Sequence, residues 1–575
     1  MENVTQNGII FVENKQEKNK DIDKTKMIAE ENGFRNTSID SSNSSKNESK
    51  LQDAIHRTLG ISVFGLMRAL NIAYVPLFIY RLFEKREKYI PISDPILKIP
   101  ASELTQKIRK KEISCVEVIE KYIARIKEVN PIINAVIEDR FVQALEEAKK
   151  LDQWINSDDF VKNQDKIANE YPLLGVPISV KGSIGVKGLK HTSGMVTRNK
   201  ITAEDDAVSV KQAKKAGAIP LLVSNVPELC MNWETSNKLV GTTKNPYDTT
   251  RTCGGSSGGE GSLLGSGASL IGIGSDIAGS LRLPAHFCGV YGHKPTPSTV
   301  SDSGHFPNST DREQWEGAFT IGPMSRYAKD LRTLLKVIVK PEKQEQLNLD
   351  EKVDIKNVKV HYINDYPDNS CDKTSQECSN AVLKVVDYFS KTSNAEPEKV
   401  DFHQLQFAGE LAAIHLLQID DINDIFDNND SCTTTEYLRY LTFRSKHTFM
   451  PISYSVLKKI VTSLPKNYKE KIAEDLTSLR NKFQETLGDN GILVMPTYHV
   501  EAFKHGDALK YALNNGYMSI FNALGFPVTN CPVTLTKEGL PVGIQVVGMP
   551  YSDKLTLAIA EEIERAFGGW REPQK

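Results

Sequence analysis

Two serine-bearing glycine loops flank a short apolar run between Gly254 and Pro295, GGSSGGEGSLLGSGASLIGIGSDIAGSLRLPAHFCGVYGHKP. Glycine loses more conformational freedom on folding than any other residue, so such loops lower local stability. Their placement around the strand-like stretch Leu270 to Gly274 suggests backbone amides brought close to a reacting atom. Upstream, Lys181 ends the apolar run LLGVPISVK (Leu173 to Lys181), a buried-strand pattern.

Composition narrows the rest. At 575 residues the chain has room for more than one domain, but α/β enzymes of this size often share one core. Its 71 basic and 73 acidic side chains nearly cancel, which argues against a nucleic-acid partner. The eight cysteines form no CxxC pair and no His/Cys zinc spacing, so neither metal nor cofactor is expected. A reducing compartment suits them. Residues 1–50, rich in Asn, Ser, Lys and Glu, lack the apolar core of a signal peptide and read as a disordered tail. Leu59 to Phe83 is the one long apolar stretch, and residues 51–92 are assigned to membrane association. Arg68 and Asn71 interrupt the run and Pro76 breaks it. Spanning the bilayer, lying in its interface and packing as an ordinary helix all stay open.

Residues 93–575 read as one domain. Ser114 and Glu117 form a capping box before a helix that Asn130-Pro131 should end. Phe141 to Ile155 is a second amphipathic run. Strand patterns at Leu173 to Lys181, Ala218 to Asn225, Gly491 to Thr497 and Leu540 to Gly548 are separated by helical ones. This alternation predicts an α/β fold whose mainly parallel sheet is covered by helices on both faces. The polar middle, about 340–485, reads as helices covering that sheet, with a lipid-contacting role for Tyr437 to Leu464 as the alternative.

Amide hydrolysis needs a nucleophile, a base, donors for the oxyanion and an acid for the leaving amine. Ser280 follows the tight loop Asp276-Ile277-Ala278-Gly279, which would aim the N–H groups of Ile277, Ala278, Gly279 and Ser280 at one point. A lysine acts as a base only when neutral, and burial at a strand end lowers its pKa. Lys181 fits that role, so a serine hydrolase without a catalytic histidine leads. Gly254 to Gly258 also matches the G-x-S-x-G elbow, with Ser256 as nucleophile and an aspartate and histidine downstream. His286, His293 and Cys288 read as packing residues.

The Gly254–Pro295 block with Lys181, VPELC (Val226 to Cys230), GTTKNP (Gly241 to Pro246) and GLPVGIQVVG near the end resembles the amidase signature family, and within it the fatty-acid amide hydrolases. The resemblance implies a large twisted mixed sheet and a Ser–Ser–Lys triad. Lys181 would be the base, Ser256 the bridging serine after a cis peptide bond, and Ser280 the acylated nucleophile. It further implies that Ser257 supports the lysine, that Asp276 and Arg282 brace the loop, and that Cys230 is a wall residue. The implied partners are a lipid amide and an intracellular membrane, with no cofactor, and a homodimer is left open. Gly182 and Ala278 depart from the family's commoner acid and glycine. A tRNA-dependent amidotransferase subunit, an amidase for small non-lipid amides and a non-catalytic lipid binder are the competing classes.

Overall fold

In the computed structural model the described residues are 85–368, 370–419 and 433–574. The tail 1–50 and the apolar stretch Leu59 to Phe83 lie outside them. Among the described residues, no helix is long and apolar enough to cross a membrane.

The strands are β1 (Val136–Asp139), β2 (Pro177–Lys181), β3 (Ile219–Ser224), β4 (Ser236–Asn237), β5 (Gly241–Thr242), β6 (Ile271–Asp276), β7 (Tyr291–Lys294), β8 (Thr320–Ser325), β9 (Lys359–Tyr362), β10 (Glu398–Lys399), β11 (Gly491–Pro496), β12 (Val528–Leu535) and β13 (Pro541–Val547). β4 and β5 form a separate ribbon, and the others make one sheet in the order β1-β3-β2-β6-β8-β7-β12-β13-β11-β9-β10. It is a mixed sheet. The flanks β3-β2-β6 and β11-β9-β10 are parallel, while every other neighbouring pair is antiparallel. Parallel pairing is therefore confined to the two groups at either side, because β7, β8 and β12, which carry no clear strand signal in the sequence, enter the centre in alternating directions.

Every residue of β2, β3, β6, β7, β8, β11 and β13 is buried. Side chains alternate between the two faces of a strand, so full burial means that both faces are covered. The covering helices include Gly258–Gly265 against β2 and β6, and Asp553–Phe567 against β12. The predicted helix Phe141–Ile155 is present with those bounds. Ser114 caps the helix Cys115–Ile133, its Oγ accepting from the Glu117 amide at 3.0 Å. That helix continues past Pro131, since a proline in the last turn forfeits little of the hydrogen-bond ladder.

Residues 85–92, counted above with the membrane segment, are tied to the rest of the described chain. Arg86 donates to the Tyr247 carbonyl at 2.7 Å, the Glu87 amide donates to Thr249 Oγ1 at 2.7 Å, and Ile92 is buried in the main core.

The glycines of helix Gly258–Gly265 let it sit directly on the sheet. A Cβ on Gly259 would lie 2.5 Å from the Asn225 carbonyl oxygen and 2.6 Å from its nitrogen, backbone atoms that cannot swing aside. Gly259→Ala should therefore destabilise the protein by about 1–3 kcal/mol, as overpacking in a tight core does. Urea denaturation would measure this, and a change within 0.5 kcal/mol (roughly the noise of a neutral surface change) would contradict the close approach.

Candidate active site

Ligand sites in open α/β sheets gather at the carboxyl ends of parallel strands. Here β2 pairs with β6 through Ile178 with Ile271, Ser179 with Gly272, and Val180 with Ile273. That register sets Lys181, the last residue of β2, beside the end of β6. β3 runs parallel on the other side of β2 and leads into the segment holding Cys230. Three strand ends thus deliver Lys181, Cys230 and the Ser275–Ser280 segment to one place.

Lys181 is fully buried. Its Nζ lies within hydrogen-bonding distance of Ser256 Oγ (2.7 Å), Ser275 Oγ (2.9 Å) and the Ser275 carbonyl oxygen (3.3 Å). Burial drives its pKa below the ordinary lysine value, against the opposing pull of nearby Cys230, Asp276 and Glu260. Cys230 accordingly lies beside the amine. Glu260 is buried too, and desolvation pushes its carboxyl up to about 7 despite a 2.5 Å bond from the Ser179 hydroxyl.

Ser256 follows a cis peptide bond, Gly255–Ser256. Ser257 is placed one step further from the lysine than expected. Its Oγ donates to the Ser275 carbonyl at 3.3 Å, and the lysine takes Ser275, unmarked in the sequence reading, as its second hydroxyl partner. The Ser257 amide donates to the Ser280 carbonyl at 3.2 Å, which ties the two serine loops together. Ser280 keeps a 5% exposure, and its hydroxyl makes no hydrogen bond to a described residue.

The loop before Ser280 hangs on Asp276. Its carboxylate accepts from the amides of Gly279 (2.7 Å) and Leu281 (3.0 Å) and from Arg282 Nε (3.1 Å) and Nη2 (3.0 Å). Arg282 and Asp276 are both fully buried. Asn522 and the Met518 carbonyl hold the guanidinium from behind, at 2.6 and 3.0 Å. Desolvation pushes the Asp276 carboxyl up, but Arg282 and the amides outweigh it and hold it well below the usual carboxylate range. The Gly279 amide is therefore directed to Asp276 rather than to the oxyanion position proposed for it. The amides of Ile277, Ala278 and Ser280 make no hydrogen bond to a described residue.

Both departures from the family pattern find a local explanation. The positive φ of the loop falls on Gly279 (99°), not on Ala278, so alanine is accommodated. At position 182, a Cβ would lie 2.5 Å from Ile137 Cδ1 and 2.6 Å from the Ser224 carbonyl oxygen, leaving no room for a carboxylate. His286 and His293 have packing roles. The Gly543 amide donates to His286 Nδ1 at 3.1 Å and its Nε2 donates to the Val500 carbonyl, while His293 bonds Thr529 and Asp553. The seven cysteines among the described residues are free, and no cluster of metal-ligating side chains occurs there.

Because the Asp276 pKa is depressed in the fold, its stabilisation is complete above about pH 4 and is lost as pH falls through the lower folded value. Asp276→Asn leaves a buried guanidinium without its counter-charge, so it should cost about 3–5 kcal/mol in urea denaturation at neutral pH. A loss under about 1 kcal/mol, the scale of an exposed pair, would show that the bridge does not hold the loop.

An amidase family profile matches residues 117–557. Fatty-acid amide hydrolase 2-B of Danio rerio is 38% identical over 539 residues, covering 91% of this chain and 99% of its own length. Fatty-acid amide hydrolase 2 of Homo sapiens is 37% identical over 498 residues, with coverages of 84% and 92%. A solved structure of fatty acid amide hydrolase shares the fold, with a TM-score of 0.66 at 23% identity over 83% of this chain and 86% of that one. The chain belongs to the amidase family.

Proposed function

We propose that this amidohydrolase cleaves fatty-acid amides to a free fatty acid and an amine, with Ser280 as nucleophile, Ser256 as proton bridge and Lys181 as base. The observation that carries the reading is the buried Lys181 amine 2.7 Å from the Ser256 hydroxyl. Its substrate class follows the fatty-acid amide hydrolases that it resembles along most of its length.

In the proposed step the Ser256 proton moves to Lys181 while Ser256 takes the proton of Ser280. Ser280 Oγ then attacks the amide carbon. The amides of Ile277, Ala278 and Ser280, which have no partner among the described residues, would take the charge that develops on the carbonyl oxygen, and fixed dipoles of this kind need no reorganisation. The lysine proton returns through Ser256 to the leaving nitrogen, the C–N bond breaks, and an acyl-enzyme remains. Water then releases the acid by the same relay. Ser280 and Ser256 are not hydrogen-bonded to each other here, and such contacts commonly tighten only when substrate is bound.

The membrane part of the reading rests on two helices, Thr433–Leu441 and Phe449–Thr462. Leu438, Leu441, Val456 and Ile460 are exposed on them, and Phe443 between them is 99% exposed. Arg439, Arg444, Lys446 and Lys459 accompany these apolar side chains. That combination suits insertion among lipid head groups. A membrane-associated location with the catalytic domain in a reducing compartment fits the free cysteines.

A fluorophosphonate probe should label Ser280, and Ser280→Ala should abolish both labelling and hydrolysis across a panel of amide chain lengths. Labelling of Ser256 with Ser280 spared would return the reading to a nucleophile elbow. The rate should rise with pH as Lys181 loses its proton, through a pKa below that of ordinary lysine. Lys181→Ala should remove that limb and lower the neutral-pH rate by roughly 10²–10⁴-fold. An unchanged profile would dismiss the lysine.

Leu441→Asp with Phe443→Asp should weaken sedimentation with anionic lipid vesicles while changing hydrolysis of a short soluble amide by less than about 2-fold, as interfacial binding scales with apolar area. Undiminished sedimentation would remove these helices from the membrane contact.

A further inference from the structure

We infer that His305, far from the serine loops in sequence, is a positioning residue that orients the lone pair of Lys181 through Ser275. The inference rests on the lysine-base reading above. It comes from counting hydrogens along a buried chain of contacts.

His305 is buried, and its two ring nitrogens have different neighbours. Nδ1 lies 2.7 Å from the Pro307 carbonyl oxygen, which can only accept, so Nδ1 carries the hydrogen. Desolvation, helped by nearby Lys181 and His191 against the weaker pull of Asp302, lowers the ring's pKa to about 3. The imidazole is therefore neutral and Nε2 is bare. Two hydroxyls converge on that bare nitrogen, Ser275 Oγ at 3.1 Å and Ser183 Oγ at 3.0 Å. Each can only donate to it.

With its hydrogen turned toward His305, Ser275 Oγ must accept from Lys181 Nζ, 2.9 Å away. The Ser275 carbonyl, 3.3 Å from Nζ, also only accepts. A neutral amine has two hydrogens and one lone pair. With both hydrogens on Ser275, the lone pair is left for Ser256 Oγ, the shortest contact of the amine at 2.7 Å, with the Cys230 thiol as its competitor. That is the orientation in which lysine can remove a proton. Without an acceptor at the His305 Nε2 position, the Ser275 hydroxyl is free to turn and compete with Ser256 for the lone pair.

The test compares two substitutions that separate the ring's bonds. His305→Asn keeps a donor near the Nδ1 position for the Pro307 carbonyl but has no acceptor reaching Ser275. His305→Gln places an acceptor near the Nε2 position. Assayed on one soluble amide, His305→Asn should lower kcat roughly 10–100-fold, part of the total for a general base, with KM little changed. His305→Gln should retain most of kcat. In a Ser275→Ala background, where no hydroxyl is left to turn, His305→Asn should cost less than about 2-fold, the non-additivity of residues acting through one another. An equal loss in both backgrounds, or His305→Gln as damaging as His305→Asn, would overturn the role. Lys181→Ala serves as the reference. If it is silent while His305→Asn has wild-type kcat, only the His305 role fails; if Lys181→Ala keeps full kcat, the base assignment fails first.

Discussion

A buried amine that no carboxylate neutralises governs this site. Lys181 and Arg282 are both fully buried, yet they are treated differently. Arg282 lies against the Asp276 carboxylate, so its charge is compensated in place. Among the described residues no carboxylate reaches Lys181 within ion-pair distance; its neighbours are two hydroxyls, a carbonyl and the Cys230 thiol. Guanidinium cannot give up its proton in a protein, whereas a desolvated ammonium can. The fold therefore assigns the fixed charge to the residue that braces the loop and leaves the lysine free to become neutral.

The close packing of the serine loops has the same logic. Ser256 and Ser257 precede a helix set directly on β2 and β6, where Gly259 touches the Asn225 backbone. On the strand side, a Cβ at Gly272 would run into the Glu260 carboxylate of that helix. Glycine on both sides of the contact brings the helix start, the end of β2 and the end of β6 within hydrogen-bond reach. The loop before Ser280 uses glycine differently. Gly279 supplies a left-handed backbone and lends its amide to Asp276, while the amides of Ile277, Ala278 and Ser280 have no partner among the described residues.

Much of this was legible because it is local. β2, β3, β6, β11 and β13 lie inside apolar runs bounded by glycine, proline or asparagine, and Lys181 ends one of them. What was not legible depends on partners distant in the chain. β7, β8 and β12 carry glycine, histidine, proline, threonine and asparagine, because their polar groups are satisfied across the sheet, as with His293 and Thr529. Those strands make the sheet centre antiparallel. Ser275 lies one residue past the strand-like stretch read from the sequence, and its contact with lysine follows from the register of β6 beside β2, which no local pattern gives. His305, in SDSGHFP, had no local signal, since its importance comes from a contact 30 residues back in the chain. The fixed place of Gly279's amide was likewise hidden, because Asp276 had been read only as a partner for Arg282.

The exposed apolar helices are not independent of the catalytic end of the sheet. Glu228 is buried two residues before Cys230 and bonds His447 Nδ1 at 2.8 Å, the Thr448 amide at 2.6 Å and the Thr448 hydroxyl at 2.8 Å. Thr448 is the N-cap of helix Phe449–Thr462, which carries Val456 and Ile460 on its exposed side. On the other flank, the Ser445 hydroxyl donates to Glu436 in helix Thr433–Leu441, and Lys238 holds the Ser445 carbonyl. A single buried carboxylate therefore joins the segment that holds Cys230 to the start of a helix with exposed apolar side chains. Removing one partner of such a desolvated group costs far more than removing an exposed pair. The segment between Glu228 and Cys230 also holds two consecutive residues with left-handed backbone, Leu229 and Cys230 at φ 54° and 58°. A connection that short and that constrained ties the start of helix Phe449–Thr462 to the residue beside Lys181.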